Sequence, residues 1–249
     1  MISLSIAGPI AIATLCQPPV NAINDAWVMR LNEVLDELEQ SPDVAVLWLR
    51  SSERVFCAGA DLEFMRARFL TEAGRELMIA FTRDLQAVYA RLERLGMATV
   101  AEIGGAALGG GFELALACDL RFAADKAKIG LPEARLGLLP AGGGTQRLTR
   151  LCGAGVSRRL ILGAEIVAGN EAVSLGLVQW MAPAAELQAA TRALVERIAE
   201  LPRAAIAACK ECIGAAMTGD GFEVELAGSR MLLGTPDTQS RVRKFLEKE

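Results

Sequence analysis

Short apolar runs and longer amphipathic segments alternate along the first half of the chain. Residues 2–7 and 10–15 are apolar and rich in isoleucine, and the Gly-Pro pair between them predicts a turn joining two strands. From Asn24, a suitable helix N-cap, apolar residues recur at three- and four-residue spacing, which predicts an amphipathic helix. Residues 44–49 predict the next strand, so we expect strand, helix and strand to form a right-handed parallel crossover.

A second unit of the same kind follows. Residues 71–95 carry the helical apolar period and lead into an apolar run at 99–103, which predicts a long helix and then a strand. Another helix is expected to begin near Gly110, and residues 120–123 predict a further strand. Alternation of this kind is typical of the α/β class with a parallel sheet.

The composition of the sequence changes after about Gly155, where alanine and leucine become frequent. This second part is predicted to be all-helical, and a run of helices with few strands to cover must bury its apolar faces on the first part or on other subunits. Self-assembly is therefore expected. The predicted helical stretches are residues 155–163, 170–176, 184–200, 203–218, 220–234 and 236–248.

Composition and charge exclude several classes of function. The 249 residues include 26 basic and 30 acidic side chains, a net charge of −4, whereas a protein that binds nucleic-acid phosphates usually has a basic excess. The sequence contains no histidine, which excludes Ser-His-Asp and Cys-His nucleophile systems and histidine-ligated zinc. We therefore expect carboxylates to carry any acid–base chemistry, with no bound metal and no nucleic acid.

Location and redox state follow from other features of the sequence. No apolar run reaches the roughly 18 residues that suggest a membrane span, so no membrane partner is expected. No Lys or Arg occurs before Arg30 and the chain opens in strand-like sequence, so we expect a cytoplasmic protein without a targeting leader. The six cysteines are expected to be reduced and buried, with Cys209 and Cys212 serving in packing.

A glycine-rich stretch from Ile103 to Glu113 runs from a predicted strand into a predicted helix and contains five glycines among its eleven residues. Such a turn aims bare backbone N–H groups at one place, and the helix dipole strengthens their hold on negative charge. A P-loop would need Lys and then Ser or Thr in fixed register, and a dinucleotide-binding turn would need glycine at Leu114. Neither pattern is present, so the expected ligand of these groups is an oxyanion.

A second glycine-containing turn, residues 56–62, follows the strand predicted at 44–49. It can present another backbone N–H group, and Asp61 is a suitable N-cap for a short helix. Two such donors would form a clamp for a thioester oxygen, although either turn alone would be read as an ordinary tight connection.

Two glutamates accompany the glycine turns. Glu113 lies one helical turn after Gly110, so its side chain can hang beside the space into which the N–H groups point. Glu133 follows a short strand-like stretch twenty residues later, far enough along for the chain to leave and return to the same pocket. Either glutamate taken singly would be expected on the surface, because most charged side chains are exposed.

These residues occur in a pattern that resembles a known family. The chain resembles the crotonase, or enoyl-CoA hydratase/isomerase, superfamily across almost its full length, and most closely its hydratases. The resemblance implies a ββα spiral core at residues 1–190, which binds acyl-CoA, and an all-helical region at 191–249 used in trimer assembly. The matching segments are 21–24 (NAIN), 57–62 (CAGADL), 105–113 (GAALGGGFE), 117–120 (ACDL), 130–133 (GLPE) and 142–148 (GGGTQRL).

The resemblance also implies roles for single residues. It makes the amides of Ala60 and Gly110 the oxyanion hole, and Glu113 and Glu133 the acid–base pair of a hydro-lyase. It implies reversible syn hydration of a 2-enoyl-CoA to a 3-hydroxyacyl-CoA, with coenzyme A as part of the substrate and no separate cofactor. The expected assembly is a homotrimer or a dimer of trimers. The residues expected to contact the acyl-CoA are Ala58, Ala60, Asp61, Leu62 and Gly109.

Other functions remain open at this point. Family members resembling isomerases usually keep only one of the two acids, so an isomerase or another acyl-CoA lyase is the nearest alternative. A noncatalytic or RNA-binding member is a remote one, which the net charge of −4 disfavours. Residues 64–81 are expected to line the acyl pocket, whereas Arg66 and Arg68 are expected in solvent rather than on CoA phosphates. Glu63 departs from the family pattern, which often has a basic residue there.

Overall fold

The structure is a computed structural model that describes residues 1–216 and 219–247. The predicted helix ends at residues 218 and 248 lie outside this range. The strands are β1 (Ile2–Ala7), β2 (Ile10–Leu15), β3 (Val46–Ser51), β4 (Ala98–Ile103), β5 (Ala107–Leu108), β6 (Leu120–Ala124), β7 (Lys128–Gly130), β8 (Ile166–Ala168) and β9 (Trp180–Ala182).

Helices connect and cover these strands. The two longest helices of the first half begin after an N-cap residue: the side chains of Asn24 and Thr71 each accept a backbone hydrogen bond at the start of their helix. The helices are α1 (Asp25–Glu39), α2 (Leu62–Phe69), α3 (Glu72–Glu93), α4 (Gly110–Leu116), α5 (Gly144–Leu162), α6 (Gly169–Ser174), α7 (Leu187–Ala199), α8 (Arg203–Ala215), α9 (Gly221–Leu233) and α10 (Pro236–Leu246), with a 3-10 helix at Glu133–Leu136.

The main sheet has six strands in the order β1-β2-β3-β4-β6-β9. Its first pair is antiparallel and every later pair is parallel, which confirms the hairpin and the parallel crossover. All six residues of β4 are buried, as expected for a central parallel strand covered on both faces. A smaller sheet, β5-β7-β8, stands beside it. The predicted α/β class is confirmed.

The core is built from large side chains of the first half. Trp27, Trp48, Phe56, Tyr89 and Phe112 are all fully buried. Trp27 and Tyr89 meet edge to face at 6.5 Å between ring centroids, which joins α1 to α3. This packing holds α3 and α4, the two helices that carry the site described below.

One strand of the first part is shifted along the chain, and one expectation about the second part is wrong. The second part is not all-helical, because β8 pairs with β7 and β9 extends the main sheet beside β6. Each of these strands has three residues, too few to give a period in the sequence. The helix predicted at residues 155–163 is present and follows a kink in α5 at Gly153, whose φ of 78° is left-handed. The helical segment before this kink, which begins at Gly144, was not predicted. The strand predicted at 44–49 lies two residues later.

The expectation that the cysteines are buried is only partly right. Cys57 and Cys118 are buried, but Cys16, Cys152 and Cys212 are half-buried and Cys209 is exposed. Cys209 lies on α8, where the sequence has too little polar contrast to show which face meets solvent. In the part of the chain that the structure describes, no helix is both long and apolar enough to cross a bilayer.

Substitution of Gly111 tests how closely α4 packs against its surroundings. A Cβ at residue 111 would lie 2.1 Å from the Cys57 carbonyl oxygen, whereas one at Gly155, inside α5, would meet nothing within 4 Å. We expect Gly111→Ala to lower the free energy of unfolding by about 1–3 kcal/mol, and Gly155→Ala to leave it unchanged or raise it by up to about 1 kcal/mol. Urea denaturation measures both. Equal effects of the two substitutions would contradict the packing described.

Candidate active site

A cavity of about 630 Å³ opens beside the N-terminus of α4. Both glycine-containing turns and both glutamates singled out in the sequence line it. Its remaining walls come from the segment 17–23, α2, α3, the 3-10 helix and the loop before α5. The lining includes Ala58, Ala60, Asp61, Leu62, Gly109, Gly110, Glu113 and Glu133, so every site residue predicted from the sequence lies on this one cavity.

The two turns touch each other through bare backbone. A Cβ added at Gly59 would lie 2.9 Å from the Leu108 carbonyl oxygen and 3.2 Å from the Gly110 nitrogen. Gly59 also has a φ of +97°, which side chains disfavour. Residue 59 must therefore be glycine, and its close contact with the Leu108–Gly110 backbone brings Ala60 and Gly110 together on the cavity.

These two amide groups are available to a ligand. The neighbouring amides have partners: Asp61 N–H donates to the Ile23 carbonyl and Gly109 N–H donates to the Gly130 carbonyl. Neither the Ala60 nor the Gly110 N–H has a hydrogen-bond acceptor among the described residues. Gly110 is also the first residue of α4, so its N–H group carries the positive end of the helix dipole.

The other predicted acyl-CoA contacts differ in what they can offer. The Ala58 amide donates to the Val20 carbonyl at 3.0 Å, so this N–H group is already engaged, as is that of Gly109. Asp61 caps α2 by accepting from the Glu63 and Phe64 amides, as the sequence predicted. Leu62 is 63% exposed and presents an apolar side chain at the edge of the cavity.

Glu113 is buried, with only 2% of its surface exposed. Its Oε1 accepts a hydrogen bond of 2.7 Å from the Gly144 amide at the start of α5. Burial raises the pKa of this carboxyl group from 4.5 to about 7, with a further rise from the charge of Glu133 and an opposing effect of the Gly144 bond. Near neutral pH this group can therefore exchange a proton.

Glu133 is the first residue of the 3-10 helix and also lines the cavity. Burial raises the pKa of its carboxyl group as well. Its Oε2 is shielded from solvent and has no hydrogen-bond partner among the described residues, while its Oε1 would be 3.1 Å from a Cβ at Gly109. A buried acceptor without a partner costs free energy, which favours a ligand group or a proton at this position.

An apolar wall leads away from the glutamates. Met78, Phe81 and Leu85 from α3 and Met65 from α2 line the cavity, which agrees in part with the expectation that residues 64–81 do so. Phe64 does not line it but packs behind Phe81 at 5.0 Å between ring centroids. Thr82, the one polar residue of α3 on this wall, bonds to the Met78 carbonyl.

The two arginines considered for CoA phosphates are paired with acidic side chains. Arg66 is mostly exposed and forms an ion pair with Glu63 at 2.9 Å. Arg68 pairs with Asp25 at 2.5 Å and stacks over the Phe64 ring. Among the described residues, no cluster of three or more acidic or cysteine side chains could hold a metal ion.

Sequence reasoning missed several residues around the site. The Tyr89 hydroxyl donates to the Gly110 carbonyl at 2.9 Å, and the Gly144 amide holds Glu113. Leu136 and Leu139 line the cavity from the far side. The triple glycine at 142–144 was a usable signal for the second contact, whereas nothing in the periodicity of α3 distinguishes Tyr89 from an ordinary core residue.

The fold and the cavity define a class: an α/β protein that can hold a negatively charged oxygen on two backbone amides beside a pair of carboxyl groups, one buried and one half-buried. Comparison with known families identifies it further. The sequence pattern of the family described as enoyl-CoA hydratase/isomerase matches residues 5–249. The chain belongs to this family.

Relatives and solved structures agree with this assignment. The short-chain-enoyl-CoA hydratase of Clostridium acetobutylicum is 34% identical over 97% of this chain and 92% of its own length. The crotonyl-CoA hydratase of Syntrophomonas wolfei is 33% identical over 92% and 88%. The crystal structure of an enoyl-CoA hydratase from Bacillus anthracis superimposes with a TM-score of 0.92 at 31% identity, covering 100% of this chain and 96% of that one. The crotonase fold expected from the sequence is thereby confirmed.

Because Glu113 is buried, replacing it with a neutral side chain should raise the free energy of unfolding by an amount that depends on pH. Because its pKa is higher in the folded than in the unfolded chain, Glu113 lowers stability progressively as pH rises from about 4.5 to about 7. We expect Glu113→Gln to raise the free energy of unfolding by up to about 3 kcal/mol at pH 8 and by little at pH 4.5.

Denaturation at both pH values measures this difference, with Glu76→Gln on an exposed face of α3 as the matched control. A Glu113→Gln gain that is the same at both pH values would contradict the account of the buried carboxyl group.

Proposed function

We propose that this protein catalyses the reversible hydration of a 2-enoyl-CoA to a 3-hydroxyacyl-CoA. The supporting observation is that two unpartnered backbone amides, at Ala60 and Gly110, line one cavity with two carboxyl groups, of which one is buried and the other half-buried. The names of relatives at 33–34% identity support the same activity. Coenzyme A is part of the substrate, and the reaction as proposed needs no separate cofactor.

The amides act on the thioester carbonyl. As the carbon–carbon double bond is attacked, electron density moves onto the carbonyl oxygen, and the two N–H groups stabilise the enolate-like species that forms. Removing one such donor typically costs about 10²–10³ in rate. Gly110 adds the dipole of α4 to this stabilisation.

The glutamates move the protons. In the hydration direction, the Glu113 carboxylate takes a proton from water as the oxygen bonds to the β-carbon, and the Glu133 carboxyl group gives a proton to the α-carbon. Their roles reverse in dehydration. Two neighbouring buried carboxyl groups resist ionising together, so the working state holds one proton on the pair. We propose syn addition, since both groups lie with the amides on one cavity and can reach one face of a planar enoyl group.

Substitution of either glutamate tests this assignment. We expect Glu113→Gln and Glu133→Gln each to lower the hydration rate by about 10²–10⁴, because each removes a positioned acid or base. Crotonyl-CoA hydration followed by the loss of enoyl absorbance measures the rate, and Glu76→Gln is the control. Wild-type rates in both variants would contradict the mechanism.

Oxygen-18 water separates hydration from the nearest alternative, an isomerase that moves a double bond by proton transfer alone. The proposal predicts label in the acyl product. Double-bond migration without label would assign the protein to the isomerases instead.

The charge of the cavity points to neutral acyl groups. Its charged lining residues, among those described, are Asp61, Glu63, Glu113 and Glu133, with no Lys or Arg. The wall runs from Leu85 to Met78 on α3, seven steps along the helix or about 10 Å at 1.5 Å per residue, and is mainly apolar. An acyl chain bearing a carboxylate would therefore meet like charge without a compensating cation.

We expect oct-2-enoyl-CoA to be hydrated with a kcat/KM about 100-fold higher than its analogue with a terminal carboxylate, since like charges in contact cost several kcal/mol. Met78→Lys places a cation on the wall and should narrow this ratio, whereas Met78→Leu should not. Equal kcat/KM values for the two substrates in the wild-type protein would contradict the charge argument.

We also propose that the protein assembles with copies of itself and is cytoplasmic. Ile213, Phe222 and Phe245 on α8, α9 and α10 are each at least 69% exposed, which supports burial of these helices against other copies in a homotrimer or a dimer of trimers. The division into a core at 1–190 and an assembly region at 191–249 is proposed on the same ground. The cytoplasmic location and the absence of nucleic-acid and membrane partners rest on the sequence alone.

A further inference from the structure

The triple glycine before α5 is packed between a carboxylate and a guanidinium. A Cβ at Gly142 would lie 2.6 Å from Glu113 Oε2, and one at Gly144 would lie 2.8 Å from Glu113 Oε1. A Cβ at Gly143 would lie 2.2 Å from Arg147 Nη1. A side chain at residue 142 or 144 would therefore displace the Glu113 carboxylate, and one at residue 143, where φ is +107°, would displace the Arg147 guanidinium. The loop thus contacts Glu113 on one side and Arg147 on the other.

Arg147 is held in place by partners outside this loop. Its Nε and Nη2 both reach Glu93 Oε2, at 3.1 and 3.0 Å, and Glu93 is the last residue of α3. Its Nη1 donates to the Gly142 carbonyl at 3.0 Å. The side chain is only 10% exposed, so the planar guanidinium joins α3 to the glycine loop in a fixed geometry.

The same loop orients the carboxyl group of Glu113. Two residues beyond the Gly142 carbonyl, the Gly144 amide donates to Glu113 Oε1. A shift of the Gly142 peptide would therefore move the donor on which the orientation of Glu113 depends. The chain of contacts runs from Glu93 through Arg147 and the loop to Glu113.

Arg147 also supplies a positive charge that acts on the Glu113 carboxyl group. The titratable groups that act on Glu113 or share its surroundings are Glu133 from the 3-10 helix, Arg147 from α5 and Tyr89 from α3. Arg147 opposes the rise in the pKa of Glu113 that burial and Glu133 produce. Its loss should therefore raise that pKa further, and a base with a higher pKa ionises only at higher pH.

We propose that Arg147, anchored by Glu93, is a positioning residue for the reaction, which holds the Gly142–Gly144 loop so that Glu113 faces the reacting water. This inference rests on the proposed hydratase function. Arg147 does not line the cavity, so its effect passes through the loop and not through contact with substrate.

Three variants of the full-length protein test the proposal. Arg147→Met removes both the charge and the hydrogen bonds, Arg147→Lys keeps the charge but replaces the fork with one ammonium group, and Glu93→Gln weakens the anchor while keeping the arginine. Arg150→Met, on an exposed position of α5, is the matched control. The measurements are kcat and KM for crotonyl-CoA across pH, thermal unfolding, and the titration of Glu113 followed by carboxyl carbon-13 NMR.

We expect Arg147→Met to lower kcat by about 10- to 100-fold, the scale of a misplaced catalytic group, with KM changed less than about twofold. The acid limb of its kcat profile and the NMR titration of Glu113 should both move to higher pH. Arg147→Lys should recover part of kcat and leave the acid limb near its wild-type position. Glu93→Gln should lower kcat without moving the acid limb to higher pH.

The proposal is overturned if Arg147→Met matches Arg150→Met in kcat and in the pH profile, or if its lost activity only follows the lost folded fraction. If Arg147→Met does not fold, the decision rests on Arg147→Lys and Glu93→Gln, and a wild-type kcat in both overturns the proposal. If the wild-type protein hydrates no enoyl-CoA, the proposed function fails, while the NMR titration of Glu113 still reports whether Arg147 controls this carboxyl group.

Discussion

The close crossing of two backbone turns is the constraint on which the site depends. A Cβ at Gly59 would lie 2.9 Å from the Leu108 carbonyl oxygen, and one at Gly111 would lie 2.1 Å from the Cys57 carbonyl oxygen, so neither position admits a side chain. This crossing leaves two amides without acceptors at the start of a helix. A site made from backbone has fixed geometry, because its donors lie in an isolated β-bridge at Ala60 and at the first residue of α4 and cannot rotate away.

The buried carboxyl groups are the costly part of this arrangement. Glu113 and Glu133 lie where burial disfavours their charge, and such a position lowers the stability of the folded chain near neutral pH. This effect is what makes Glu113 useful, since a carboxyl group with a pKa of about 7 can give and take protons at neutral pH. Stability and chemistry are thus opposed at the same residues.

Much of this could be predicted from the sequence, for identifiable reasons. Periodicity over long segments located α1 and α3, and glycine density together with Glu113 and Glu133 located the cavity. The strand β9 was missed because three residues carry no period. Arg147 and Tyr89 were missed because their importance lies in contacts with Glu93 and Gly110, residues distant in sequence.

The most direct test of the central claim is a crystal structure with a bound 3-hydroxyacyl-CoA. The account predicts the thioester oxygen about 3 Å from both the Ala60 and the Gly110 nitrogen, with the 3-hydroxyl group between the carboxyl groups of Glu113 and Glu133. A thioester oxygen bound elsewhere, or a hydroxyl group that meets neither glutamate, would contradict it.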